Sequence, residues 1–496
     1  MIRLTLLVFM LFTSTLMARQ PNVIVILADD MGVDSISAFN DSLGFETPRI
    51  DALAKEGMVF SDGHSGSAVC TPTRYGLLTG RYSWRSRLKK GIVPRWDAPL
   101  IEDGRLTIAS MLKTMGYETA AIGKWHLGWN WPFKSSDPVP VGNGKALEKL
   151  AEQGLDWNVP VTGGPNSSGF DYYFGDDVIN WPPFVYIENE KVLGTPDPKT
   201  YKVPESEWSE DTVLPTLTTK AVSYIETQAK SDKPFFLYFS MTAPHAPIAP
   251  AVDFKGKSGI SSYVDFVIET DHRIGQILDA VDRGGIAENT LIFFTADNGT
   301  SLRHSNKGDV ENKGVDFEVN IRGGKSDIWE GGHRVPFIVR WPGTVQAGAR
   351  NDTPICLTDV MATVADVVGV KLPENAAEDS VSLLPALRGK PQEHGAIINH
   401  SIEGKFALRK GPWKLAFCAG SGGWSSPKDG AAKKAKLPAL QLYNLSTDTL
   451  ETTNVIYENP ELAKTLTKEL HTLIEQGRST PGAPQQNVGE TWLPEL

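Results

Sequence analysis

Four short apolar segments limit the folds open to this chain more than any other feature. Each is a continuous apolar run bounded by polar or turn residues, and they cover residues 22–28, 234–240, 290–296 and 337–341. Strands of a parallel sheet that is covered on both faces have this composition, whereas half-exposed strands alternate. We therefore predict that these segments are central strands of a large, mostly parallel sheet.

Segments with helical signals lie between the predicted strands. Thr47, Pro48 and Gly57 stand where the N-cap, the first helical position and the C-terminal glycine of a helix belong. Residues 107–115 and 216–229 are further predicted helices. Alternating strands and helices are typical of an α/β fold in which helices cover both faces of the sheet.

The pattern changes near residue 389. Short segments at 397–399, 406–409, 413–417 and 440–445 are predicted strands, and about 460–476 is a predicted helix. The Gly-, Ser- and Lys-rich stretch 419–436 is predicted to be a surface loop. We divide the chain into a main α/β domain, residues 19–388, and a smaller C-terminal α+β subdomain, residues 389–496, with a small antiparallel sheet and a helix.

Residues 1–18 are predicted to be a signal peptide. Arg3 precedes an apolar run, residues 4–17, that is short for a membrane span, and Ala18 is a small residue suited to cleavage. We expect an exported protein, periplasmic or secreted, without stable membrane insertion; an uncleaved anchor is the alternative. The net charge of −10 argues against nucleic-acid binding, because proteins that bind nucleic acids are usually basic.

The chain has three cysteines, Cys70, Cys356 and Cys418. An odd number in an exported protein leaves at least one that is unpaired or chemically special. Cys356 and Cys418 could form a disulfide or remain two buried thiols, and the sequence does not decide between these alternatives.

Cys70 begins the most specific motif, Cys70-Thr71-Pro72-Thr73-Arg74, which continues to Leu78-Thr79-Gly80-Arg81. Pro72 suits the first turn of a helix, because the N–H that it lacks would have no partner there. Cys70 would then lie at a helix N-terminus, which favours an anion, and Arg74 can point to the same place. This arrangement suits attack on a sulfate or phosphate group, although a cysteine at such a position is more often structural.

Polar pairs follow two of the predicted strands. Asp29 and Asp30 come directly after residues 22–28, and Asp297 and Asn298 come directly after residues 290–296. Ligands of α/β sheets bind beyond the carboxyl ends of the strands. Three carboxylates and an amide oxygen suit Ca²⁺ or Mg²⁺, so we predict a metal site at this edge.

Basic side chains near the same edge form a third group. Lys124 and His126 follow a predicted strand at 119–122, His245 follows residues 234–240, and Lys325 precedes the segment Glu330-Gly331-Gly332-His333-Arg334. A lone basic residue in a loop is usually only solvated. Cations around a sulfate or phosphate are nevertheless required, because charge shifts among its oxygens as the ester bond breaks.

With these motifs the chain resembles the type I sulfatases of the alkaline-phosphatase superfamily over nearly its whole mature length, and within them arylsulfatases and N-acetylgalactosamine-6-sulfatases. Their signature is Cys-x-Pro-Ser-Arg followed by Thr-Gly-Arg, and here Thr73 replaces the serine. The resemblance implies a sulfuric ester hydrolase in which a maturation enzyme oxidises Cys70 to formylglycine (3-oxoalanine), whose hydrate is the nucleophile. It also implies a sulfated carbohydrate, polysaccharide or oligosaccharide, as the substrate.

The resemblance further implies the role of each residue. Ca²⁺, or Mg²⁺, would bind Asp29, Asp30, Asp297, Asn298 and the group derived from Cys70. Lys124 and Lys325 would bind sulfate oxygens, and Arg74 would contact the formylglycine and the oxygens of the metal site. His245, helped by Lys325, would protonate the leaving alcohol. His126 would be the base that takes a proton from the hydrate when sulfate is released.

Candidate substrate contacts follow from position along the chain. The cluster Arg81, Arg85, Arg87, Lys89 and Lys90 is either a solvated face or a patch that attracts polyanions. Trp84, Trp129, Trp131 and Trp181 lie in predicted loops and either stack on sugar rings or pack in the core. We select Trp84, Arg85, Arg303, His304 and His333 as candidate contacts to the sulfated sugar.

Two other functions remain open at this stage. A phosphoesterase of the same superfamily would normally use Ser or Thr, or a second metal ion. A non-catalytic glycan-binding relative would not need the full set of candidate nucleophile, metal ligands and acid–base groups. The sequence does not define the sugar, the sulfate position, endo or exo cleavage, or the oligomeric state.

Overall fold

The computed structural model describes residues 20–204, 208–305, 313, 315, 317 and 321–489. The predicted signal peptide, residues 1–18, lies outside the described residues. The strands are β1 Asn22–Ala28, β2 Met58–Phe60, β3 Gly63–His64, β4 Glu118–Gly123, β5 Tyr172–Gly175, β6 Ile187–Glu188, β7 Lys191–Val192, β8 Phe235–Ser240, β9 Thr290–Ala296, β10 Phe337–Arg340, β11 Ala349–Asn351, β12 Ile355–Cys356, β13 Ile397–His400, β14 Phe406–Lys410, β15 Trp413–Ala416 and β16 Gln441–Asn444.

The helices separate these strands along the chain. They are α1 Pro48–Glu56, α2 Cys70–Thr79, α3 Ile108–Thr114, α4 Gly144–Glu152, α5 Glu210–Gln228, α6 Ser262–Arg283, α7 Glu330–His333, α8 Asp359–Val368, α9 Leu384–Leu387, α10 Asp429–Lys434 and α11 Pro460–Glu475. Among the described residues, no helix is both long enough and apolar enough to cross a bilayer.

The main sheet has the order β11-β2-β10-β9-β1-β8-β4-β5-β6-β7 in the described part of the chain. Strands β9, β1, β8, β4 and β5 run parallel, and every residue of β1, β8 and β9 is buried. The predicted α/β fold with a large, mostly parallel sheet is confirmed. One predicted central strand differs, because β10 runs antiparallel to β9 and β2. A continuous apolar run indicates that both faces of a strand are buried, but it does not indicate whether the strand runs parallel or antiparallel to its neighbours.

The register of the central strands brings their carboxyl ends to one edge. Ala28 at the end of β1 pairs with Ala296 of β9, and Leu27 pairs with Ser240 of β8. Ser240 in turn pairs with Gly123 at the end of β4. The polar residues that follow these strands therefore begin side by side.

The beginning of α1 shows how a helix obtains its cap from the tertiary structure. Thr47 occupies the N-cap position as predicted, but its side chain makes no capping hydrogen bond. Asp271 of α6 accepts instead from the backbone N–H groups of Arg49 and Ile50, at 3.0 and 2.8 Å. Free N–H groups at a helix start need such acceptors, and here the acceptor also joins two helices.

The C-terminal region forms a second sheet, with the order β13-β14-β15-β16 and antiparallel pairs throughout. The prediction that residues 419–436 form a surface loop is only partly correct, since residues 424–436 are mostly exposed or half-buried but include a helix. Residues 419–423 are buried and α10 follows them. A Cβ atom at Gly423 would lie 2.4 Å from the carbonyl oxygen of Ser326. The glycines of this stretch therefore allow close packing on the main domain rather than flexibility.

Cys356 and Cys418 are buried free thiols, as is Cys70. The alternative of a disulfide between Cys356 and Cys418 is thereby excluded for this structure. Cys356 packs in the apolar cluster beneath the small sheet, and the Cys418 thiol lies 3.2 Å from the carbonyl oxygen of Gly420. Both behave as small apolar residues with a weak donor.

Candidate active site

The four predicted metal ligands meet at the carboxyl edge of β1 and β9. The Asp30 N–H donates to Asp297 Oδ1 at 3.1 Å, and Asn298 Nδ2 donates to Asp30 Oδ1 at 2.8 Å. Asp29, Asp30, Asp297 and Asn298 are all buried. Asp30 adopts a left-handed backbone conformation, with φ 63°, which is uncommon for non-glycine residues. The structure brings the predicted set together.

Three oxygen atoms of this set have no hydrogen-bond partner among the described residues. They are Asp29 Oδ1, Asp30 Oδ2 and Asn298 Oδ1, and all three are buried. Buried polar atoms normally have partners, so such a group needs an explanation. Oxygen atoms from carboxylates and an amide are the ligands that Ca²⁺ prefers. The residues present thus fit a hard divalent cation.

Helix α2 begins at Cys70, as the motif predicts. Cys70 Sγ lies 3.2 Å from His126 Nδ1, and burial raises the pKa of the thiol. The Thr73 hydroxyl donates to the carbonyl oxygens of Ser67 and Val69, at 3.1 and 3.2 Å. Thr73 therefore fixes the turn that presents Cys70, and its hydroxyl does not face the reacting group.

Arg74 joins the ends of β9, β8 and β4. Its Nε and Nη2 donate to Asp297 Oδ2 at 3.2 and 2.7 Å, and its Nη1 donates to the Ser240 hydroxyl and the Lys124 carbonyl oxygen. Burial alone would lower the pKa of Arg74, but the charges of Asp297 and Asp29 raise it above its ordinary value. The guanidinium is a permanent positive charge in the site.

Two buried lysines pair with the first acidic pair. Lys124 Nζ lies 2.7 Å from Asp29 Oδ2, and Lys325 Nζ lies 2.5 Å from Asp30 Oδ1. Burial acts to lower the pKa of each lysine, and the neighbouring carboxylates outweigh it, so that both pKa values are raised. Both ammonium groups stay charged and can bind an anion.

The two histidines are uncharged in this setting. Burial is the largest cause that lowers the pKa of His126 and His245 well below 6.5; Lys124 contributes to the shift at His126 and Lys325 to that at His245. His126 Nε2 has no hydrogen-bond partner among the described residues. His245 Nε2 lies 3.8 Å from Asp30 Oδ2. Both rings can accept a proton at neutral pH.

A further acidic pair, Asp176 and Asp177, was not predicted from the sequence. Asp177 Oδ1 accepts from the backbone N–H of His126 at 3.2 Å and from the indole Nε1 of Trp129 at 3.1 Å. Burial raises the pKa of Asp176 to about 7 and that of Asp177 to about 6. The signal was available, since this pair also follows a strand of the main sheet, β5. Asp177 holds the backbone that carries His126.

Two of the predicted substrate contacts lie in the protein interior. Trp84 packs on Tyr82 and Phe406, with ring centroids 5.6 and 5.2 Å apart. Arg85 donates to both carboxylate oxygens of Asp379, at 2.8 and 2.9 Å. Both side chains are buried, so the prediction that they contact substrate is wrong for this structure. They join the 3-10 turn after α2 to the core.

His333 is also an interior residue. Its Nδ1 lies 3.0 Å from His64 Nδ1 and its Nε2 lies 3.1 Å from Lys414 Nζ. It is fully buried and takes part in a polar network between the main domain and the small sheet. The prediction that it contacts the sugar is therefore wrong as well.

The basic cluster after the cysteine motif does not form an exposed patch. Arg81 is buried and pairs with Glu378 at 3.2 Å, Arg87 pairs with Asp97 at 2.9 Å, and Lys89 donates to two backbone carbonyls. Of the five residues only Lys90 is exposed. These charges are close to Cys70 along the chain, but most of their side chains form ion pairs and hydrogen bonds inside the fold.

The remaining candidates differ in position. Trp129 and Trp131 are core residues. Trp181 is half-buried and lies edge-to-face with the His126 ring, with centroids 5.2 Å apart. Arg303 is exposed and His304 half-buried. Asp30 and Lys325 are among the charges that act on His304. Trp181, Arg303 and His304 thus lie at the rim of the site.

Known proteins are similar to this chain in sequence and in fold. The family model described as Sulfatase matches residues 21–370. An N-acetylgalactosamine-6-O-sulfatase of Bacteroides thetaiotaomicron is 30% identical, covering 92% of this chain and 93% of its own length. Human steryl-sulfatase is 31% identical, covering 76% of this chain and 71% of its own. A solved structure titled for glycosaminoglycan metabolism by Bacteroides thetaiotaomicron has a TM-score of 0.79 at 29% identity, covering 92% of this chain and 99% of that one.

The chain belongs to the sulfatase family. It is a sulfuric ester hydrolase with an alkaline-phosphatase-like fold, which confirms the resemblance read from the cysteine motif.

Proposed function

We propose that this sulfatase removes sulfate from a sulfated carbohydrate, with formylglycine made from Cys70 and with bound Ca²⁺. The relative from Bacteroides thetaiotaomicron that matches over most of both chains is named as an N-acetylgalactosamine-6-O-sulfatase. The observation that carries the proposal is the position of Cys70 at the start of α2, 3.2 Å from His126, beside the set of unpartnered carboxylate and amide oxygens.

Asp29, Asp30, Asp297 and Asn298 would hold the Ca²⁺ ion. Mg²⁺ is the alternative, although Mg²⁺ usually keeps more water ligands. A bound divalent ion supplies positive charge that polarises the sulfate oxygens. The protein prepares this site with buried oxygens whose hydrogen-bonding capacity is otherwise unused.

Formylglycine would supply, as its hydrate, the oxygen nucleophile. The chain places this residue at a helix N-terminus, where the backbone N–H groups and the helix dipole favour negative charge. The unmodified thiol would be a poor nucleophile here, because burial raises its pKa and keeps it protonated.

Lys124 and Lys325 would bind the sulfate oxygens. Both remain protonated, and each is already oriented by a carboxylate at 2.7 or 2.5 Å. Cations that are held in place before the reaction stabilise charge that develops on the sulfate oxygens as the ester bond breaks. Arg74 orients Asp297 through two hydrogen bonds to its Oδ2 atom.

The two histidines would move the protons. His126 Nδ1 faces residue 70 and can take a proton from the group formed there. His245 gains a proton more readily once a negatively charged sulfate ester binds, because a nearby anion raises the pKa of a histidine. It can then donate that proton to the oxygen of the leaving alcohol, beside the ammonium of Lys325.

Export to a periplasm or to the cell exterior, and conversion of Cys70 by a formylglycine-generating maturation enzyme, complete the proposal. The apolar segment at residues 4–17 supports export. The motif from Cys70 to Arg74 supports conversion, with Thr73 in place of serine.

The test combines mass analysis of the Cys70 peptide with sulfate release from a panel of sulfated galactose, N-acetylgalactosamine, glucosamine, fucose and uronate-containing saccharides. We expect a formylglycine mass and release from at least one class, and no release by Cys70→Ala. Release of phosphate from phosphate esters, with none from sulfate esters, would favour the phosphoesterase alternative. Release of neither sulfate nor phosphate, with formylglycine confirmed, would contradict the proposal.

The metal assignment has its own prediction. Ca²⁺ should raise the Tm of the wild-type protein, because a ligand that binds only the folded state stabilises it. Asp297→Asn should lose most of that rise and at least 100-fold in kcat/KM while remaining folded, since the amide keeps the size of the side chain. Scanning calorimetry with Ca²⁺ and with EDTA measures this. An equal rise in the variant would refute Asp297 as a ligand.

A further inference from the structure

We propose that Trp424 and Arg303 form a sugar-binding surface next to the sulfate-binding lysines, and that it selects substrates with a second anionic group, carboxylate or sulfate, on or beside the sulfated sugar. This inference rests on the proposed function and specifies its substrate class. It uses one predicted residue, Arg303, and one that sequence reasoning missed, Trp424.

The backbone of Trp424 is hydrogen-bonded to the segment that carries Lys325. Its backbone N–H lies 3.0 Å from Ser326 Oγ and 2.9 Å from Asp327 Oδ1 and donates to both. Trp424 lies in the stretch from the C-terminal region that packs on the main domain, and its side chain is half-buried. A side chain that remains partly open next to Lys325 can contact the alcohol part of the substrate.

One carboxylate positions both segments. Asp327 accepts from the Gly324 N–H at 3.0 Å, on the Lys325 side, and from the Trp424 and Ser425 N–H groups at 2.9 and 3.1 Å. Trp424 is thereby held relative to Lys325 before any substrate binds, which reduces the ordering cost of binding.

Arg303 lies over the same indole ring. Its Cζ is 4.8 Å from the centre of the Trp424 ring, a distance at which a guanidinium and an aromatic face attract each other. Arg303 is exposed, and no carboxylate of the described residues pairs with it. Within the part of the chain that the structure describes, its donors are therefore available for the two oxygens of a carboxylate or sulfate.

The turn that carries Arg303 is joined to the segment that carries Lys325. The neighbouring His304 lies in the same turn, and its Nδ1 is 2.8 Å from the Ser301 hydroxyl. The Lys325 N–H donates to the carbonyl oxygen of Thr300, at 2.9 Å. Arg303 and Trp424 thus lie on segments that are both hydrogen-bonded to the segment that carries Lys325.

The pair offers the two contacts that an acidic sugar needs. The Trp424 ring supplies an apolar face for the C–H groups of a pyranose, and its indole N–H has no hydrogen-bond partner among the described residues. Arg303 supplies a fixed positive charge beside that face. An uncharged neighbouring sugar would leave this charge unused.

The experiment compares Trp424→Ala, Trp424→Phe and Arg303→Ala with the control Tyr457→Ala, which removes an exposed aromatic residue beside α11. Four substrates are used for each: 4-nitrophenyl sulfate, a singly sulfated hexosamine, the same hexosamine linked to a uronate, and the same hexosamine with a second sulfate. N-acetylgalactosamine 6-sulfate and its glucuronate disaccharide begin the series. KM and kcat are measured separately.

We expect Trp424→Ala to raise KM at least tenfold on the anionic saccharides, with a loss at least ten times smaller on 4-nitrophenyl sulfate. Trp424→Phe should recover most of that loss. Arg303→Ala should reduce the preference for the uronate-linked or disulfated sugar to threefold or less. Whichever of these two substrates loses more identifies the second anion as carboxylate or sulfate. Tyr457→Ala should match the wild type.

Three outcomes would overturn the inference. Equal losses on aryl sulfate and saccharides would mean that Trp424 only supports Lys325. Wild-type behaviour of all variants, or no preference of the wild type for a second anion, would mean that the pair does not bind substrate. If none of the four substrates is cleaved, the same variants are compared on whichever sugar of the wider panel is cleaved; no release across that whole panel, with formylglycine confirmed, would instead contradict the proposed function itself.

Discussion

Arg74 illustrates how a single residue of a sequence motif acquires its role from distant segments. The motif predicted that Arg74 would point toward Cys70, and the structure shows that its donors are divided between Asp297, Ser240 and Lys124. These partners lie at the ends of three strands. Arg74 thus connects the ends of three strands and also supplies a positive charge near the site.

Replacing Arg74 by Lys should lower kcat/KM at least 100-fold, because an ammonium cannot reproduce the forked contacts that hold Asp297. The free energy of unfolding should fall by about 2–4 kcal/mol, since buried acceptors lose their donors. Sulfate release and denaturant unfolding measure the two effects. Arg283→Lys, in an exposed pair with Glu226, is the matched control, and similar losses in it would contradict the argument.

At the scale of elements, the beginning of α2 depends on side-chain hydrogen bonds to the preceding turn. The Thr73 hydroxyl donates to the carbonyl oxygens of Ser67 and Val69. A serine at this position could make the same bonds, which explains physically why the motif tolerates either residue.

Thr73→Val should therefore lower the free energy of unfolding by about 1–2 kcal/mol, because it removes the donor without changing the size of the side chain. Thr73→Ser should cost less than about 1 kcal/mol, the value of one buried methyl group. Urea unfolding gives both values, and mass analysis of the Cys70 peptide gives the converted fraction. A serine variant as unstable as the valine variant would exclude the hydroxyl as the cause.

At the scale of the whole molecule, the small sheet is joined to the main domain through buried charges. Lys414 of β15 lies 2.9 Å from Glu330 of α7 and 2.8 Å from Glu451. Its ammonium also contacts His333. Since α7 follows the Lys325 segment, this network helps to hold the C-terminal region, and Trp424 with it, against the active site.

Lys414→Met should lower the free energy of unfolding by about 3–5 kcal/mol, because two buried carboxylates lose their counter-charge. Lys410→Met is the control, since Lys410 pairs with Glu469 at the surface and should cost less than about 1 kcal/mol. Thermal and denaturant unfolding measure both. Equal effects of the two substitutions would show that the buried network does not stabilise the domain contact.

His400 should make the stability of the molecule depend on pH. Burial lowers its pKa from 6.5 to about 4, so the folded state keeps the ring neutral while the unfolded chain takes up a proton below about pH 6.5. The free energy of unfolding is therefore unaffected by His400 above about pH 6.5. As the pH falls from there to about 4, protonation of the unfolded chain lowers it by about 3 kcal/mol in total. His400→Gln should flatten the pH dependence of unfolding in that window by this amount. An unchanged slope would refute it.

The sequence by itself determined the central strands of the sheet and predicted which polar residues meet at its carboxyl edge. Continuous apolar runs predicted β1, β8 and β9, because burial on both faces requires apolar residues at every position. Polar residues directly after those strands predicted the acidic set, since parallel strands end at one edge. The cysteine motif predicted the start of α2, because Pro72 suits the first turn of a helix, and its resemblance to the sulfatase signature predicted the family.

Only the tertiary structure decided which charged and aromatic side chains face the substrate. Trp84, Arg85 and His333 seemed close to the site along the chain, yet each is buried among partners far away in sequence. Trp424 was overlooked within a stretch predicted to be a surface loop. Burial and pairing depend on contacts between distant segments, and local composition does not encode them. For the same reason the direction of β10 and the unpaired state of Cys356 and Cys418 required the folded chain.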